Sequence, residues 1–258
     1  MKKNLSNIKK AINYLNNNDC IAIPTETVYG LAGNAYSDRA TSKIFKLKKR
    51  PKKNPLIVHY IYLEMLKKDC EINNTFLKLF KKFCPGPITF VLKLNKNSKI
   101  SRNVTNGKKT LAVRFPKKTI AIKLLKKLKY PLAAPSANIS TNLSPVSKED
   151  VKEEFGKKIK FILDGGRSQI GLESTIISLV NKPQILRLGG IKISEINKLL
   201  KTNLKFNKKN IKTPSPGQSK VHYSPGIPLK LNIKKPKLNE AFILIKKRKL
   251  SEKNFYYL

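Results

Sequence analysis

Several residue types that commonly build catalytic sites are rare in this 258-residue chain, which has no tryptophan, two histidines and three cysteines. Cys20, Cys70 and Cys84 are isolated and outside any CxxC pair, so neither a disulfide framework nor a cysteine zinc site is predicted. His59 and His222 lie far from any GxSxG motif, which argues against a Ser/His/Asp triad, and they form no paired-histidine metal motif. We therefore expect no metal ligands, and catalysis by positioning and charge neutralisation rather than through a covalent intermediate.

Long apolar stretches are absent as well. No apolar run approaches the roughly 18 residues that a membrane-spanning helix needs. The charged first residues, MKKNLSNIKK, are not followed by the apolar segment of a secretory signal. We therefore expect a cytoplasmic protein without membrane contact. Its apolar content of 40% is sufficient for one large domain, or for one domain with a small appendage.

Acidic side chains are also scarce, with 15 aspartates and glutamates against 55 lysines and arginines and a net charge of +40. This charge indicates either a nucleic-acid-binding protein or a general bias toward lysine. We favour the bias because the lysines are spread along the whole chain, although attraction to polyanions such as RNA follows in both cases. Arginine is rarer, and Arg50, Arg114 and Arg187 each lie beside a strand end, a turn or a Pro/Gly element. They are therefore candidates for bidentate anion binding.

Apolar periodicity predicts both helices and strands. Helical spacing occurs at residues 4–17, 38–47, 75–83, 120–128, 148–155 and 193–200. Short apolar runs predict strands at residues 20–23, 56–59, 88–94, 110–114, 131–134, 159–163, 174–180 and 184–188. Ser147, with Asp150 three residues later, predicts the N-cap of the fifth helix. The mixture, with strand ends opening into polar turns, is typical of an α/β or α+β domain of about 200 residues.

The composition changes after residue 200. Residues 201–227 are polar and lysine-rich and contain Pro214 and Pro216, which predicts a linker. Residues 228–233 and 241–245 are predicted to form two strands, but a segment of roughly 30 residues cannot bury a core alone. We therefore predict a main domain over residues 1–200, a linker over residues 201–227 and a short C-terminal region over residues 228–258.

One polar stretch, PTETVYGLAG (24–33), follows directly after the first predicted strand. Thr25, Thr27 and Tyr29 alternate, so in an extended chain their side chains would share one wall of a site. Gly30 and Gly33 would let the backbone approach a ligand closely. The alternative interpretation is an ordinary threonine-rich strand and turn.

A basic loop, KLKKRPKKNP (46–55), follows the second predicted helix. Pro51 and Pro55 restrict its backbone, so it could present Lys48 and Arg50 to phosphate groups. The alternative is one more of the lysine runs that this chain has throughout. The sequence PSANIS (135–140) follows the strand predicted at residues 131–134 and is polar, like the stretch PTETVYGLAG. Its small residues leave space for a ligand.

Taken in order and register, these pieces resemble the YrdC-like family, the threonylcarbamoyl-AMP synthases. The resemblance extends over about residues 5–200. The matching pieces are PTETVYGL (24–31), KIFKLKKRPKKNPLIVH (43–59), FCPGPITFVL (83–92), TLAVRFP (110–116), PLAAPSANIS (131–140), ILDGG (162–166), GLESTII (171–177) and ILRLGG (185–190). The later SPG (215–217) and HYSP (222–225) resemble the linker signature of the long, two-domain form.

The resemblance implies a YrdC-like α/β (α+β) fold, in which a twisted mixed sheet with flanking helices surrounds a large basic cavity. It also implies an L-threonylcarbamoyladenylate synthase, a nucleotidyltransferase that converts L-threonine, bicarbonate or CO₂, and ATP to threonylcarbamoyl-AMP and pyrophosphate. Mg²⁺ normally accompanies the ATP. The product feeds the threonylcarbamoyl-transfer machinery that modifies tRNA next to the anticodon.

Site residues follow from the same resemblance. L-Threonine is expected to contact Thr27, His59, Arg114, Ala134 and Ser174. ATP is expected to contact Arg50, Asn54, Thr110, Ser136, Ser144 and Arg187, with Tyr223 of the linker over the nucleotide. Lys48 and Arg50 are the expected catalytic residues, because cations beside the phosphates would neutralise the charge that builds up as pyrophosphate leaves. No role follows for Glu26.

The sequence departs from the family pattern at several positions. Cys84 stands where tryptophan is usual, Thr141 stands at a usual glycine and Leu188 at a usual proline. These changes affect packing and turns more than ligand groups. The long form continues into a second α/β domain, whereas only residues 228–258 follow the linker here, so we expect this region to be truncated or degenerate. The linker remains a candidate lid over the site.

Two other functions fit parts of these observations. A non-catalytic YrdC-like module that binds double-stranded RNA or tRNA would explain the charge, because shape-based RNA binding needs a basic surface but no ATP-site arginines. A hydrolase or maturation factor acting on carbamoyl-phosphate-like compounds would be expected to carry an acylphosphatase-like or zinc-finger segment, which we do not find. The residue types at the threonine and ATP positions favour the synthase.

Overall fold

A computed structural model describes residues 2–206, 228–244 and 255–257 of the chain. The chain divides into two compact units, Met1–Ser224 and Pro225–Leu258. Most of the predicted linker lies outside the described residues, so the division into 1–200, 201–227 and 228–258 stays a prediction. No helix in the described part of the chain is long and apolar enough to cross a membrane.

The first unit is built from helices and strands that alternate along the chain. Its helices are α1 (Lys2–Asn16), α2 (Asp38–Leu47), α3 (Leu63–Asp69), α4 (Asn74–Phe83), α5 (Arg102–Thr105), α6 (Thr119–Leu125), α7 (Lys148–Phe155) and α8 (Ile193–Leu200). Its strands are β1 (Ile21–Ile23), β2 (Gly30–Asn34), β3 (Ile57–His59), β4 (Ile88–Lys93), β5 (Thr110–Arg114), β6 (Leu132–Ala133), β7 (Thr175–Ser178) and β8 (Gln184–Arg187). In the second unit, β9 (Phe242–Leu244) pairs in parallel with β10 (Phe255–Tyr257).

The strands β1 to β8 form one sheet in the order β1-β2-β6-β3-β5-β4-β7-β8. The pairs β3–β5 and β4–β7 are parallel, and the other neighbouring pairs are antiparallel. The expected α/β architecture, a mixed sheet with flanking helices, is confirmed.

The flanking helices pack through one apolar face each. In α4, residues Phe76, Leu79 and Phe83 are buried, at the i, i+3, i+7 spacing that a helix requires. The helix α7 starts as its sequence predicts: the Ser147 hydroxyl accepts from the Asp150 N–H, and the Asp150 carboxylate accepts from the Ser147 N–H. This reciprocal capping box satisfies two N–H groups that the helix itself cannot.

Alternation along β3 and β5 gives the sheet two different faces. Val58 and Val113 belong to the main apolar core, which also contains buried residues of α2, α4, α7 and α8. Ile57 and Ala112 point to the other face, where they contribute with Leu186 to a small separate apolar cluster. A fully buried valine stabilises the fold by roughly 1.5–3 kcal/mol. A further apolar cluster beside β1, β2 and β6 contains buried residues of α1 and α6. The second face provides the floor beside the site.

Several predicted elements differ from the structure. The strand expected at residues 159–163 is reduced to one bridge between Ile162 and Ala22. The predicted strand at residues 228–233 is wrong, whereas the one at 241–245 corresponds to β9. Four of the elements named above were not predicted: the glycine-containing β2, the C-terminal β10, and the short helices α3 and α5. Pairing with β1 and β6 makes 30–34 a strand despite its poor intrinsic propensity.

Candidate active site

A cavity of about 510 Å³ of empty space, partly open to solvent, lies where several strands and loops end. Its wall is formed by the ends of β3, β5 and β8 and by the loops that precede β2, follow β6 and precede β7. The lining residues are Thr25, Thr27, Val28, Gly30, Arg50, Ile57, His59, Arg114, Ala134, Pro135, Ser136, Glu173, Ser174 and Arg187.

All five residues expected to contact threonine line this one cavity: Thr27, His59, Arg114, Ala134 and Ser174. His59 and Arg114 are the last residues of the parallel neighbours β3 and β5 and lie opposite each other in the register. The carboxyl ends of parallel strands meet at one edge of a sheet, which explains why residues 55 positions apart become neighbours.

Arg114 is held in the wall by a carboxylate for which the sequence indicated no role. Its Nη2 donates to Glu26 Oε1 at 2.8 Å, and the other Glu26 oxygen accepts from the Lys117 N–H at 2.9 Å. Both side chains of the ion pair are about 95% buried. Burial alone would raise the pKa of Glu26, but the Arg114 charge and the two hydrogen bonds outweigh it and hold the pKa below its usual 4.5. The pair orients the guanidinium while leaving other donors available.

His59 and Arg114, which line this part of the site, carry buried polar atoms without partners. Within the described residues, Nδ1 and Nε2 of His59 and Nε of Arg114 are buried and make no hydrogen bond. Burial, and then the Arg114 charge, lowers the pKa of His59 well below 6.5, so the imidazole is neutral at pH 7. A neutral imidazole has one donor and one acceptor nitrogen. Buried polar groups normally have partners, so a polar ligand bound at this wall would satisfy a need that the described residues leave open.

The threonine-rich stretch is a turn, not the extended strand that would line up its alternate residues. The Thr25 hydroxyl donates to Val28 O at 2.6 Å, so its 2.8 Å contact with Thr27 Oγ1 must use the Thr27 proton. The lone pairs of Thr27 Oγ1 can then accept from a ligand. The expectation for Tyr29 is wrong: its ring joins the core, and its hydroxyl donates to Gly166 O.

The two glycines of this stretch have different surroundings. Gly30 lines the cavity, and a side chain there would meet the Ala134 Cβ at 3.3 Å. A side chain at Gly33 would instead meet Ala40 and Ile44 of helix α2. Close approach to a ligand therefore fits Gly30, whereas Gly33 allows the helix to pack on the sheet.

Arg50 is the cavity cation contributed by the basic loop. Its Nε donates to Asn54 O at 3.1 Å and one terminal nitrogen donates to Pro55 O at 3.0 Å. Asn54, expected at ATP, is thus used through its carbonyl oxygen and does not line the cavity. Burial lowers the pKa of Arg50 to about 10, so it stays protonated at neutral pH.

Arg187, a second cavity cation, is tied to the segment that precedes β7. Its Nε and Nη2 donate to Ser174 O and Ser174 Oγ, each at 3.0 Å, and its Nη1 pairs with the Glu173 carboxylate. Ser144, an expected ATP residue, donates to Glu173 at 3.0 Å. It therefore supports a residue of the wall and does not line the cavity itself. Glu173 was missed by the sequence argument; the quoted GLEST motif contained it, but nothing there indicated its ion pair.

The remaining expected residues differ in where they lie. Lys48 is 1% exposed and does not line the cavity; its ammonium donates to the Ser136 and Asn138 carbonyls, at 2.5 Å each. Thr110 is the first residue of β5, four residues or about 13 Å from Arg114 along the strand. Ser136 lines the cavity, and its contact with ATP stays a prediction. Tyr223 lies outside the described residues.

The described wall therefore combines neutral hydroxyl and imidazole groups with three guanidinium groups and the Glu173 carboxylate. It offers guanidinium groups for carboxylate or phosphate, hydroxyl and imidazole groups for amine or carboxylate contacts, and an apolar floor from Ile57 and Ala134. No cluster of three or more potential metal ligands was found among the described residues. Binding and charge neutralisation are what such a wall can provide.

Comparison with known proteins identifies relatives of this chain. The profile of the Sua5/YciO/YrdC family, described as "Telomere recombination", matches residues 13–189. The chain is 42% identical over 226 residues to the threonylcarbamoyl-AMP synthase of Pyrococcus abyssi and 38% identical over 227 residues to that of Bacillus subtilis. These alignments cover 84% and 86% of this chain but 65% of each relative, so the chain spans less than two thirds of their length.

Solved structures give the same result. The crystal structure of P. abyssi Sua5 complexed with L-threonine superimposes with a TM-score of 0.79 at 40% identity, covering 84% of this chain and 65% of that one. The crystal structure of Escherichia coli YciO superimposes with a TM-score of 0.66 at 24% identity and covers 92% of that chain. The second likeness shows the fold alone.

Proposed function

The chain belongs to the Sua5/YciO/YrdC family, and from this membership and the site geometry we propose that it is an enzyme, an L-threonylcarbamoyladenylate synthase. As a nucleotidyltransferase it would condense L-threonine, bicarbonate or CO₂, and ATP to threonylcarbamoyl-AMP and pyrophosphate. The relatives' names and the relative's threonine complex support this proposal.

The observation that carries the proposal is the set of buried, unpartnered polar atoms on His59 and Arg114, which line the same cavity as Thr27. A free amino acid has a carboxylate that matches a guanidinium and an amine that matches a lone pair. Arg114 therefore takes the threonine carboxylate through the donors that Glu26 does not use. Thr27 Oγ1 accepts from the amine, and Ala134 and Ser174 complete the pocket.

The first chemical step forms a carbon–nitrogen bond. The threonine ammonium must first lose a proton to solvent, because only the free amine attacks. Its attack on CO₂ gives the carbamate and releases a second proton, whereas with bicarbonate a water molecule leaves instead. The acceptor on Thr27 and the neutral His59 favour a bound amine, since neither adds a positive charge beside it. These contacts orient the threonine nitrogen. They accelerate the step mainly by holding that nitrogen close to the carbon it attacks.

The second step transfers the adenylyl group. A carbamate oxygen attacks the α-phosphorus of ATP, the bond from that phosphorus to the bridging oxygen breaks, and pyrophosphate leaves. Negative charge grows on the leaving group, and Arg50 and Arg187 of the cavity wall are the cations proposed to neutralise it. Because Glu173 partly neutralises Arg187, Arg50 supplies the larger share.

Mg²⁺ would arrive with the nucleotide. It prefers oxygen ligands, keeps several waters and is commonly held by one or two carboxylates together with substrate phosphates. Glu173 is the carboxylate in the described wall, and it is already paired with Arg187. The phosphates of ATP would therefore supply the main ligands, and the bound ion would add to the neutralisation of charge.

The expected product is a mixed anhydride of a carbamate and a phosphate, which reacts readily with nucleophiles. A transferase that passes the threonylcarbamoyl group to tRNA is therefore the expected downstream partner. RNA is attracted to a chain of net charge +40, whether or not it contacts this protein productively.

The proposal is tested by incubating the protein with ATP, bicarbonate and each amino acid in turn, and detecting the adenylated carbamate by mass spectrometry. Product is expected with threonine. Arg50→Ala should reduce its rate at least about 100-fold by removing a phosphate-facing charge, whereas the exposed Lys53→Ala should not. Absence of product in the wild type, with salt-dependent binding of double-stranded RNA, would instead support the non-catalytic module.

A further inference from the structure

The ammonium group of Lys48 has no hydrogen-bonding capacity to spare. An ammonium carries three donors. Its nitrogen lies 2.5 Å from Ser136 O, 2.5 Å from Asn138 O and 3.4 Å from Asn138 Oδ1. Three acceptors therefore surround three N–H bonds, and contact with a phosphate would require breaking at least one of them.

The main chain of Lys48 is bound to the same loop. Lys48 is the C-cap residue of α2, and its carbonyl oxygen accepts from the Ser140 N–H at 2.8 Å. We call residues 136–142 the wall loop. On its far side, Glu154 Oε1 of α7 accepts from the Ile139 N–H at 2.6 Å and from the Asn142 amide at 2.8 Å. The loop is held between two helices by buried or half-buried contacts.

This arrangement matters for the cavity because the wall loop begins with Ser136, which lines it. We infer that Lys48 is a positioning residue that fixes the wall loop in the nucleotide site, and that its ammonium does not contact the phosphates. The inference rests on the proposed function for the identity of the ligand. It assigns charge neutralisation in the described wall to Arg50 and Arg187 alone.

The electrostatic environment agrees with this geometry. Burial, reinforced by the Arg50 charge and opposed by Glu173 and Glu154, lowers the pKa of Lys48 to about 7. A lysine open to a wet, anion-binding cavity would keep more of its solvation. Carbonyl oxygens accept from an amine as well as from an ammonium, so the contacts to the wall loop do not require a permanent charge.

The first test is the thermal stability of the protein without ligand. Lys48→Met should lower the melting temperature by about 5 °C or more, because two buried carbonyls lose their donor. Lys46→Met, an exposed lysine of the same helix, serves as the matched control and should change it little. An unchanged melting temperature of Lys48→Met would overturn the inference.

The second test measures binding of ATP, AMP and threonine to the same variants by calorimetry. A displaced wall loop should weaken ATP and AMP by similar factors, about tenfold, while threonine affinity changes less than twofold. If the affinity for ATP fell while the affinity for AMP did not, the ammonium would have to contact the outer phosphates. Equal loss of all three ligands would indicate general loosening, and either result would overturn the inference.

A second variant covers the case that Lys48→Met does not fold. Glu154→Ala releases the wall loop from its other side without touching the cavity, and the exposed Glu153→Ala is its control. Glu154→Ala should weaken ATP and AMP alike; unchanged affinities would contradict the role of the loop. A wild type that binds nucleotide but forms no product would defeat only the proposed function. A wild type that binds no nucleotide would defeat both.

Discussion

At the scale of single residues, Glu26 shows how a polar group can shape the site without contacting a ligand. It lies in the PTETVYGL stretch, its carboxylate is buried, and it bridges Arg114 and the Lys117 N–H. A buried arginine without such a partner would adopt several orientations or draw in water. With the partner, one terminal nitrogen is fixed on Glu26 while Arg114 lines the cavity.

The energetic consequence is testable in a double-mutant cycle. Arg114→Met should lower the free energy of unfolding by about 3–5 kcal/mol, because it leaves a buried carboxylate without its cation. Glu26→Gln in the same chain should recover a large part of that loss, giving a coupling energy of about 2 kcal/mol. Urea unfolding of the four proteins measures it. Strictly additive effects would mean that the ion pair does not exist in solution.

His59 is expected to stay neutral throughout the working pH range. Its folded pKa lies well below 6.5, so it takes up no proton between pH 6 and 8. The rate of product formation at low threonine should therefore show no step with an apparent pKa near 6.5. A pH profile of the wild type beside His59→Gln is the measurement. A step near 6.5 that vanishes in the variant would show that the imidazole titrates in reach of solvent.

The same shift affects stability in a defined direction. Between the lowered pKa and 6.5, the unfolded chain binds a proton at His59 that the folded protein does not. The His59 contribution to stability therefore rises with pH up to about 6.5 and is constant above it.

At the scale of elements, the contact between the loop after β8 and the start of β7 sets the position of Ser174. A Cβ at Gly189 would lie 2.3–2.4 Å from backbone atoms of Glu173, Ser174 and Thr175. Backbone atoms cannot rotate away as a side chain can. Gly189 is thus needed for close packing, and not for an unusual dihedral angle.

Gly189→Ala is expected to separate these two segments. It should cost about 1–3 kcal/mol of stability through overpacking and displace Ser174 and Glu173 from the cavity wall. Urea unfolding and threonine titration measure the two effects. Leu188→Ala, which truncates the adjacent and 55% exposed side chain, should change neither. Wild-type threonine affinity in Gly189→Ala would show that the loop can move away without cost.

The elements also show where the local sequence pattern is sufficient to predict a helix or a strand. Helices α2, α7 and α8 and strand β5 have the predicted bounds, because strong apolar periodicity coincides with a cap, a turn or a polar end. The helices α3 and α5 are too short to show an apolar periodicity from which a helix could be predicted. Strand β2 contains two glycines, and only its partners β1 and β6 make it a strand.

At the scale of the whole molecule, the charge of +40 opposes the compact state. Like charges on one small domain repel each other, and salt screens that repulsion, with a Debye length falling from about 30 Å at 0.01 M to about 8 Å at 0.15 M. We expect the melting temperature to rise by several degrees as sodium chloride is increased over this range. A matched series with a neutral osmolyte controls for changes in solvent. A melting temperature that does not depend on salt would mean that bound counterions already neutralise the surface.

The sequence by itself determined the α/β class, the order of most elements, the caps and the residue types available for chemistry. These follow from periodicity, from local backbone preference and from motifs whose spacing is read along the chain. It also indicated that Thr27, His59, Arg114, Ala134 and Ser174 belong together, although only through family resemblance.

Tertiary structure alone decided which side chains reach the cavity and which support it. The pairing of Arg114 with Glu26, of Arg187 with Glu173, and of Lys48 with the wall loop joins residues 14 to 90 positions apart. No local pattern encodes such contacts, because they depend on strand order and on how loops cross the sheet edge. Lys48 and Tyr29 lie in motifs that suggested ligand contact, but burial directs their polar atoms to backbone carbonyls instead.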